Sequence, residues 1–369
     1  MSGRRIAITG ADGFIGRNLA VRLGELGDTV LPLTRASTPD DWRRAVAGAD
    51  AAVHLAGANR PVDPAEFMGV NSGSATLLAD AVRVGGRAIP VIYASSAKAG
   101  DDTEYGRSKR AGEEHLFALG QETGAPVYVF RLPNVFGKWA RPNYNSAVAT
   151  FCHNIPRGLP IRIDDPAAPL SLVYVDDVVA AFLDVLDERK TPGHVDVSTV
   201  YHTSVGAVAD AIRGFRADRD DNLIARVGTG LTRALYATYV SALPPPEFAY
   251  PLVSHRDPRG SFSEMLKTRT SGQFSYFTAH PGVTRGGHYH HTKTEKFLIV
   301  HGEALFRFRH VVTGERHEIR TAGTEPVVVE TVPGWAHDVT NIGDGEMIAL
   351  LWANEIFDRD KPDTVAAPV

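Results

Sequence analysis

Two groups of residues in this 369-residue chain have the types and spacing to do chemistry. Residues 9–16 read TGADGFIG, which sets Gly10, Gly13 and Gly16, with Phe14 and Ile15 between them, at the passage from a strand pattern to a helix pattern. At such a passage the backbone turns tightly, approaches a pyrophosphate and lets a helix pack on a sheet. Further on, Tyr105 and Lys109 lie one turn apart on one face of another helix pattern. A lysine near a phenol favours the phenolate, so the tyrosine can exchange a proton with a carbonyl or an alcohol. Ser95 and Ser96 end the preceding strand pattern, where a hydroxyl can hydrogen-bond the reacting oxygen. The second group lies in GVTRGGHYHHTKTEKFLIVHG at 282–302. His288 and His290 are two apart, so in a strand both rings point to one side. Residues 291–294 can bend the chain and return Glu295 beside them. A chain that carries both groups is expected to perform two steps on one substrate.

The elements that must position these groups differ between the two ends. Up to about residue 240, strand and helix patterns alternate, which implies a parallel sheet. Compact strands are predicted at 4–9, 29–33, 51–56, 91–95 and 127–131, and helices at 14–26, 40–47, 64–84, 104–122 and 174–188. Pro244, Pro245 and Pro246 cannot continue a helix and read as a stiff connector. Beyond them helix patterns nearly vanish and short strands are separated by Gly, Pro and Thr/Asp turns, as in a small antiparallel sandwich or barrel. Domains at 1–243 and 244–369 follow. A formal charge of -4 gives no basic field for nucleic acid. No apolar stretch approaches a membrane span, and the first residues lack the apolar core of a signal peptide, so a cytoplasmic protein is expected. Cys152 is the only cysteine, so a metal site would use His and carboxylates.

The glycine loop, the serine and the YxxxK pair stand in the order of the extended short-chain dehydrogenase/reductase family, which the first domain resembles. The resemblance implies a Rossmann-like α/β fold and casts Tyr105 as proton donor. Lys109 would lower its pKa and hold the ribose, and Ser96, or its neighbour Ser95, would orient the carbonyl. Leu55, Ala56 and Gly57 resemble the segment under the cofactor phosphates, and Asn71, Arg131 and Asn134 resemble positions on the substrate side. An acidic residue ending the second strand would accept the ribose hydroxyls of NAD, whereas an arginine accommodates a 2′-phosphate. The chain has Leu33-Thr34-Arg35 there and no carboxylate before Asp40, which favours NADPH with Arg35 at its phosphate.

The spacing from Gly282 through His288, His290 and Glu295 to Gly302 is similar to the first motif of the cupin family, an all-β jelly-roll barrel. PGWAHDVTN at 333–341 resembles its second motif and makes His337 the fourth ligand. Three imidazoles and one carboxylate suit Zn(II), Fe(II), Mn(II) or Ni(II). The order of the two domains, with DPRGSFSEMLKT at 257–268, resembles the CapF (also WbjC) family of capsular polysaccharide biosynthesis proteins over essentially the full length. That resemblance implies a bifunctional homodimer acting on a UDP-2-acetamido-2,6-dideoxy-hexos-4-ulose. Its zinc-bearing cupin would epimerise C3, and its reductase domain would reduce the C4 ketone with NADPH to a UDP-N-acetyl-6-deoxy-L-talosamine, on the route to UDP-N-acetyl-L-fucosamine. A C3 proton is acidified by the neighbouring ketone, so epimerisation needs an enolate stabiliser, which a metal provides, and a proton carrier. Glu295, Phe297, Ile299 and His301 alternate along one strand, which makes His301 the candidate carrier. A one-step 4-ketoreductase whose cupin only binds sugar or dimerises is the alternative.

Overall fold

The computed structural model describes residues 3–61 and 63–369. The chain divides into two compact units, one of Met1–Arg213 with Gly228–Leu243 and one of Gly214–Val227 with Pro244–Val369. Helix Gly230–Ser241 ends before the three prolines, which contribute only to a 3-10 turn at Pro245–Glu247. One cut at the prolines does not describe the division, because Gly214–Val227 packs with the second unit. Its short strand Leu223–Ile224 pairs in parallel with Lys267 and Thr268 of strand Gly260–Thr268, a contact between residues far apart in sequence that no local pattern announces.

In the first unit, alternation of apolar residues builds three layers. Six strands lie in the order Thr29–Leu33, Arg5–Thr9, Ala51–His54, Val91–Ser96, Val127–Leu132 and Gly193–His194, all parallel. Ile6 and Ile8 point to one face, with Leu19, Leu23 and Phe182 of two helices. Ala7 points to the other, with Trp42, Leu78 and Leu116 of three helices. Because side chains alternate along a strand, a sheet covered on both faces must be apolar at every position, and Ile6, Ala7 and Ile8 are fully buried. The strand order reverses beside Arg5–Thr9, and that reversal opens the crevice where parallel sheets bind ligands. Part of the predicted 64–84 helix is wound differently: a π-helical turn, Met68–Ser72, precedes helix Gly73–Gly85. No helix among the described residues is long and apolar enough to cross a membrane.

In the second unit two mainly antiparallel sheets face each other. One is built on strands Gly260–Thr268, Gly272–Ala279, Met347–Ala353 and Glu295–His301, the other on Arg316–Ala322, Glu303–His310, Trp335–Asn341 and Thr284–Tyr289. Phe277, Phe297, Phe306, Phe308, Val339 and Met347 fill the space between them.

Candidate active sites

The glycine loop is built by close backbone approach. Gly10 has φ +66°, and a Cβ there would lie 2.9 Å from the Ala56 nitrogen; a Cβ on Gly16 would lie 2.3 Å from the Gly10 carbonyl oxygen. Gly13 donates its N–H to the Gly10 carbonyl and caps helix Phe14–Glu25 without a side chain. The first-turn N–H groups of Phe14 and Ile15 therefore face the crevice as a helix start without intrahelical acceptors. Thr9 Oγ1 accepts the N–H groups of Leu55 and Ala56, at 3.1 Å each, and bonds His54 Nδ1 at 2.7 Å. It thereby sets residues 55–57 against the loop. These are dimensions that an anionic dinucleotide phosphate fits. Arg35 sits exposed in the turn after strand Thr29–Leu33. The nearby carboxylates are used locally, Asp40 by Arg43 and Asp41 in the capping box with Thr38.

Helix Glu104–Thr123 starts at the cap Thr103 and carries both Tyr105 and Lys109. The Tyr105 hydroxyl donates to Asn59 Oδ1 at 3.4 Å, and Phe67 packs edge-on against its ring, with centroids 5.4 Å apart. Burial raises the phenol's pKa while Ser96 pulls it down, so the group stays protonated at neutral pH. Lys109 is not what sets it. Its ammonium donates to the Ala94 carbonyl at 2.9 Å and lies 4.8 Å above the Tyr93 ring. Burial lowers it to about 8, against the charge of Glu113. The expected phenolate-favouring lysine is thus a buried cation whose Nζ would meet a Cβ on Gly57 at 3.7 Å, next to the phosphate segment.

The two serines separate. Ser96 caps the short helix Ala97–Gly100 and faces the phenol, whereas Ser95 is buried and donates to Glu113 at 2.5 Å. Glu113, which the motif reading passes over, also accepts a forked pair of bonds from Arg131, at 3.0 and 2.6 Å. Its only sequence signal is its place four residues after Lys109, on the same helix face. The three positions expected on the substrate side differ. Asn71 is buried, accepts the Ala58 N–H at 2.7 Å and donates to Ser108 at 3.0 Å. It braces the 55–58 segment from within and presents no free group, a correction that follows from its place on the π-helical turn. Arg131 keeps an exposed side but is held by Glu113. Asn134 is exposed and donates to the Ser171 carbonyl at 3.1 Å.

In the second unit, the ligand atoms of His288, His290, Glu295 and His337 all lie within 4.8 Å of one another. His288 and His337 are cross-strand neighbours, and their ring centroids are 4.8 Å apart. His290 Nε2 stands 3.2 Å from Glu295 Oε2 and His337 Nε2 3.6 Å from it. His337 donates Nδ1–H to the Trp335 carbonyl at 3.3 Å, which leaves Nε2 buried with no hydrogen-bond partner. Burial, then the neighbouring imidazoles, hold His288 at about 4, neutral as a ligand requires. Burial pushes Glu295 up, but hydrogen bonds from His290 and His337 and the charge of Lys293 outweigh it and keep it ionised. Convergent, deprotonated and short of partners, this donor set fits a divalent cation.

His301 does not join them. A β-bulge between Ile299 and His301 breaks the alternation and leaves His301 exposed, so the expected proton carrier is withdrawn. The residues that motif spacing left out are Lys293, whose ammonium meets Glu295 at 3.1 Å, Arg285, and Asp363 of the C-terminal segment. Lys293 was readable inside the motif; Asp363 carries no sequence signal.

The NAD dependent epimerase/dehydratase family model matches residues 6–198, and the polysaccharide biosynthesis C-terminal domain model matches residues 255–365. A Pseudomonas aeruginosa protein named UDP-2-acetamido-2,6-beta-L-arabino-hexul-4-ose reductase is 55% identical over 99% of each chain. The crystal structure of the capsular polysaccharide assembling protein CapF from Staphylococcus aureus superposes with a TM-score of 0.93 at 38% identity, covering 100% of each chain. The UDP-glucose 4-epimerase of Thermus thermophilus, at 21% identity and a TM-score of 0.54 over 64% of this chain and 98% of its own, shares the fold of the first unit. The chain belongs to the NAD dependent epimerase/dehydratase family, and within it to the CapF type of capsular polysaccharide biosynthesis protein, in which a polysaccharide biosynthesis domain follows.

Proposed function

We propose that this chain is a two-step nucleotide-sugar enzyme of polysaccharide biosynthesis. Its second unit epimerises C3 of a UDP-2-acetamido-2,6-dideoxy-hexos-4-ulose. Its first unit then reduces the C4 ketone with NADPH, giving a UDP-N-acetyl-6-deoxy-L-talosamine. The observation that carries the two-step reading is the convergence of His288, His290, Glu295 and His337 in a chain that also holds a protonated Tyr105 at the glycine-loop crevice. The P. aeruginosa relative is named for reduction of an arabino-hexulose, which is the step that must follow inversion at C3. As a family member the chain would act as a homodimer in the cytoplasm.

When bound, the nicotinamide supplies the hydride and the divalent cation supplies the Lewis acidity that a proton next to a ketone needs. The chain does the rest. Gly10, Gly13, Gly16 and the start of helix Phe14–Glu25 hold the phosphates, and Arg35 accepts the 2′-phosphate. Ser96 orients the ketone oxygen, and Tyr105 donates the proton that oxygen takes up during reduction. Lys109 holds the ribose, its ammonium fixed by Ala94. In the second unit, the four ligands hold the cation and the surrounding aromatic residues exclude water. The reductase acts last, because reduction removes the ketone on which epimerisation depends.

Incubation with NADPH and the 4-keto sugar in deuterated water tests both steps at once. NMR is expected to show deuterium at C3 and reduction at C4. His290→Ala should abolish the label while leaving reduction of sugar that is already epimerised. Unchanged labelling in His290→Ala would remove the epimerase half of the reading.

A further inference from the structure

The strand Thr284–Tyr289 is kinked where two glycines meet. Arg285 pairs with Val339 and Gly286 with Asp338, but the next pair is His288 with His337, so Gly287 has no partner. Gly286 has φ +101° and Gly287 φ +81°, and a Cβ on Gly286 would lie 2.8 Å from the His337 carbonyl oxygen. An extra residue shifts the alternation of side chains by one. Arg285 and His288, three apart, therefore line the same cavity of about 150 Å³, with Glu295 and His337. Its walls are Phe262, Phe277, Phe297, Phe306 and Leu351.

The charges around this cavity are matched except one. Asp338 is held by Arg307 at 2.9 and 2.8 Å, Glu295 by His290 and Lys293, and Asp257 by Arg259 at 2.6 Å. Among the described residues, Arg285 forms no ion pair. Its Nε is buried without a hydrogen-bond partner, its Nη2 reaches the Ser261 carbonyl at 3.5 Å, and its guanidinium sits 5.4 Å from the Phe277 ring centroid. Burial, then the charge of Arg259, lower its pKa, as befits a cation short of a counter-charge. A buried donor left unpaired is costly unless an acceptor arrives.

We infer that Arg285 binds an oxygen of the substrate's sugar ring in this cavity, an assignment that rests on reading the cavity as the epimerase site. A space of about 150 Å³ admits one six-membered ring and leaves no room for the diphosphate and uridine as well. The acceptor is therefore on the sugar. A guanidinium donating to an oxygen that gains negative charge next to the reacting carbon strengthens as that charge develops.

The test uses the full-length protein loaded with Mn(II), the 4-keto sugar nucleotide in deuterated water, and the variants Arg285→Gln and Arg285→Lys. Arg285→Gln is expected to slow deuterium entry at C3 about 100-fold and to lose the Mn(II)-induced relaxation of the sugar protons, with metal content unchanged. Arg285→Lys should recover part of both. Deuterium entry and relaxation both within about threefold of the parent protein in Arg285→Gln would overturn the assignment. So would loss of metal, which would make Arg285 a support of the ligands. If the parent protein shows no His290-dependent deuterium entry, the epimerase reading fails. The relaxation comparison then still decides Arg285, loss supporting it and equality overturning it.

Discussion

His290 donates its Nδ1 proton to the main-chain carbonyl of Asp363, 73 residues away. A carbonyl can only accept, so this bond fixes the tautomer and leaves the Nε2 lone pair directed at Glu295, His288 and His337. The carboxylate of Asp363 does the complementary task. It accepts the N–H groups of His291 at 2.9 Å, Thr292 at 2.7 Å and Lys293 at 2.7 Å, and the Thr292 hydroxyl at 3.0 Å. The bend that brings Glu295 back to the histidines is therefore held by the C-terminal segment. Asp363→Ala is expected to weaken metal binding about 10- to 100-fold without removing any ligand. Competition with a chelator would measure it; an unchanged affinity would make the contact incidental.

Ser95 and Ser96 are adjacent, yet their variants should fail in different ways. Tyr105→Phe should lower the rate of ketone reduction by about 10²- to 10⁴-fold, the usual worth of a positioned acid, with NADPH binding retained. Ser96→Ala should lower it by a smaller factor. Ser95→Ala removes a hydrogen bond to the buried carboxylate of Glu113, so it should cost about 1.5–3 kcal/mol of stability and leave turnover nearly intact. Single-turnover reduction and thermal unfolding, measured on all three, separate the roles. Equal loss of turnover in both serine variants would contradict the division.

Arg35 stands exposed where a ribose-binding carboxylate would select NAD, while Asp40 and Asp41 are tied to Arg43 and to the Thr38 cap. Arg35→Glu should therefore lower kcat/KM for NADPH by at least about tenfold and raise it for NADH. Retained preference for NADPH would place the phosphate contact on another residue.

Legibility in the sequence follows the range of the interaction. Gly10, Gly13 and Gly16, the Tyr105–Lys109 turn and the His288–His290 pair are local patterns, and the structure brings each into the predicted element. The strand after Glu295 reads as regular alternation, and a bulge at its end overturns the place of His301. Asn71 reads as a helix residue, and the π-helical turn buries its amide against Ala58 and Ser108. Glu113 and Arg131 meet across a helix and a strand, and Asp363 meets 290–293 from the far end of the chain. No spacing rule reaches such pairs, because the sheet register and the tail docking that create them are tertiary.

His54 offers a check on the first unit that does not depend on catalysis. It is fully buried, bonded to Thr9 at 2.7 Å and to Ser74 at 3.3 Å, and stacked on Tyr93. Burial, then the charge of Lys109, lower its pKa to about 3. In the unfolded chain it titrates near the ordinary value of 6.5. Below that value the unfolded chain takes up a proton that the native state refuses. The stability tied to a neutral His54 is thus complete above pH 6.5 and is lost as pH falls from there toward 3, by about 2 kcal/mol at pH 5. The ring resonances of His54 should accordingly stay in the neutral position from pH 7.5 to pH 5. His54→Asn should flatten the loss of stability of the first unit over that range, by about the same amount. A ring that titrates near 6.5 would show that the crevice strand opens to water, and the proposed fixing of residues 55–57 by Thr9 would fall with it.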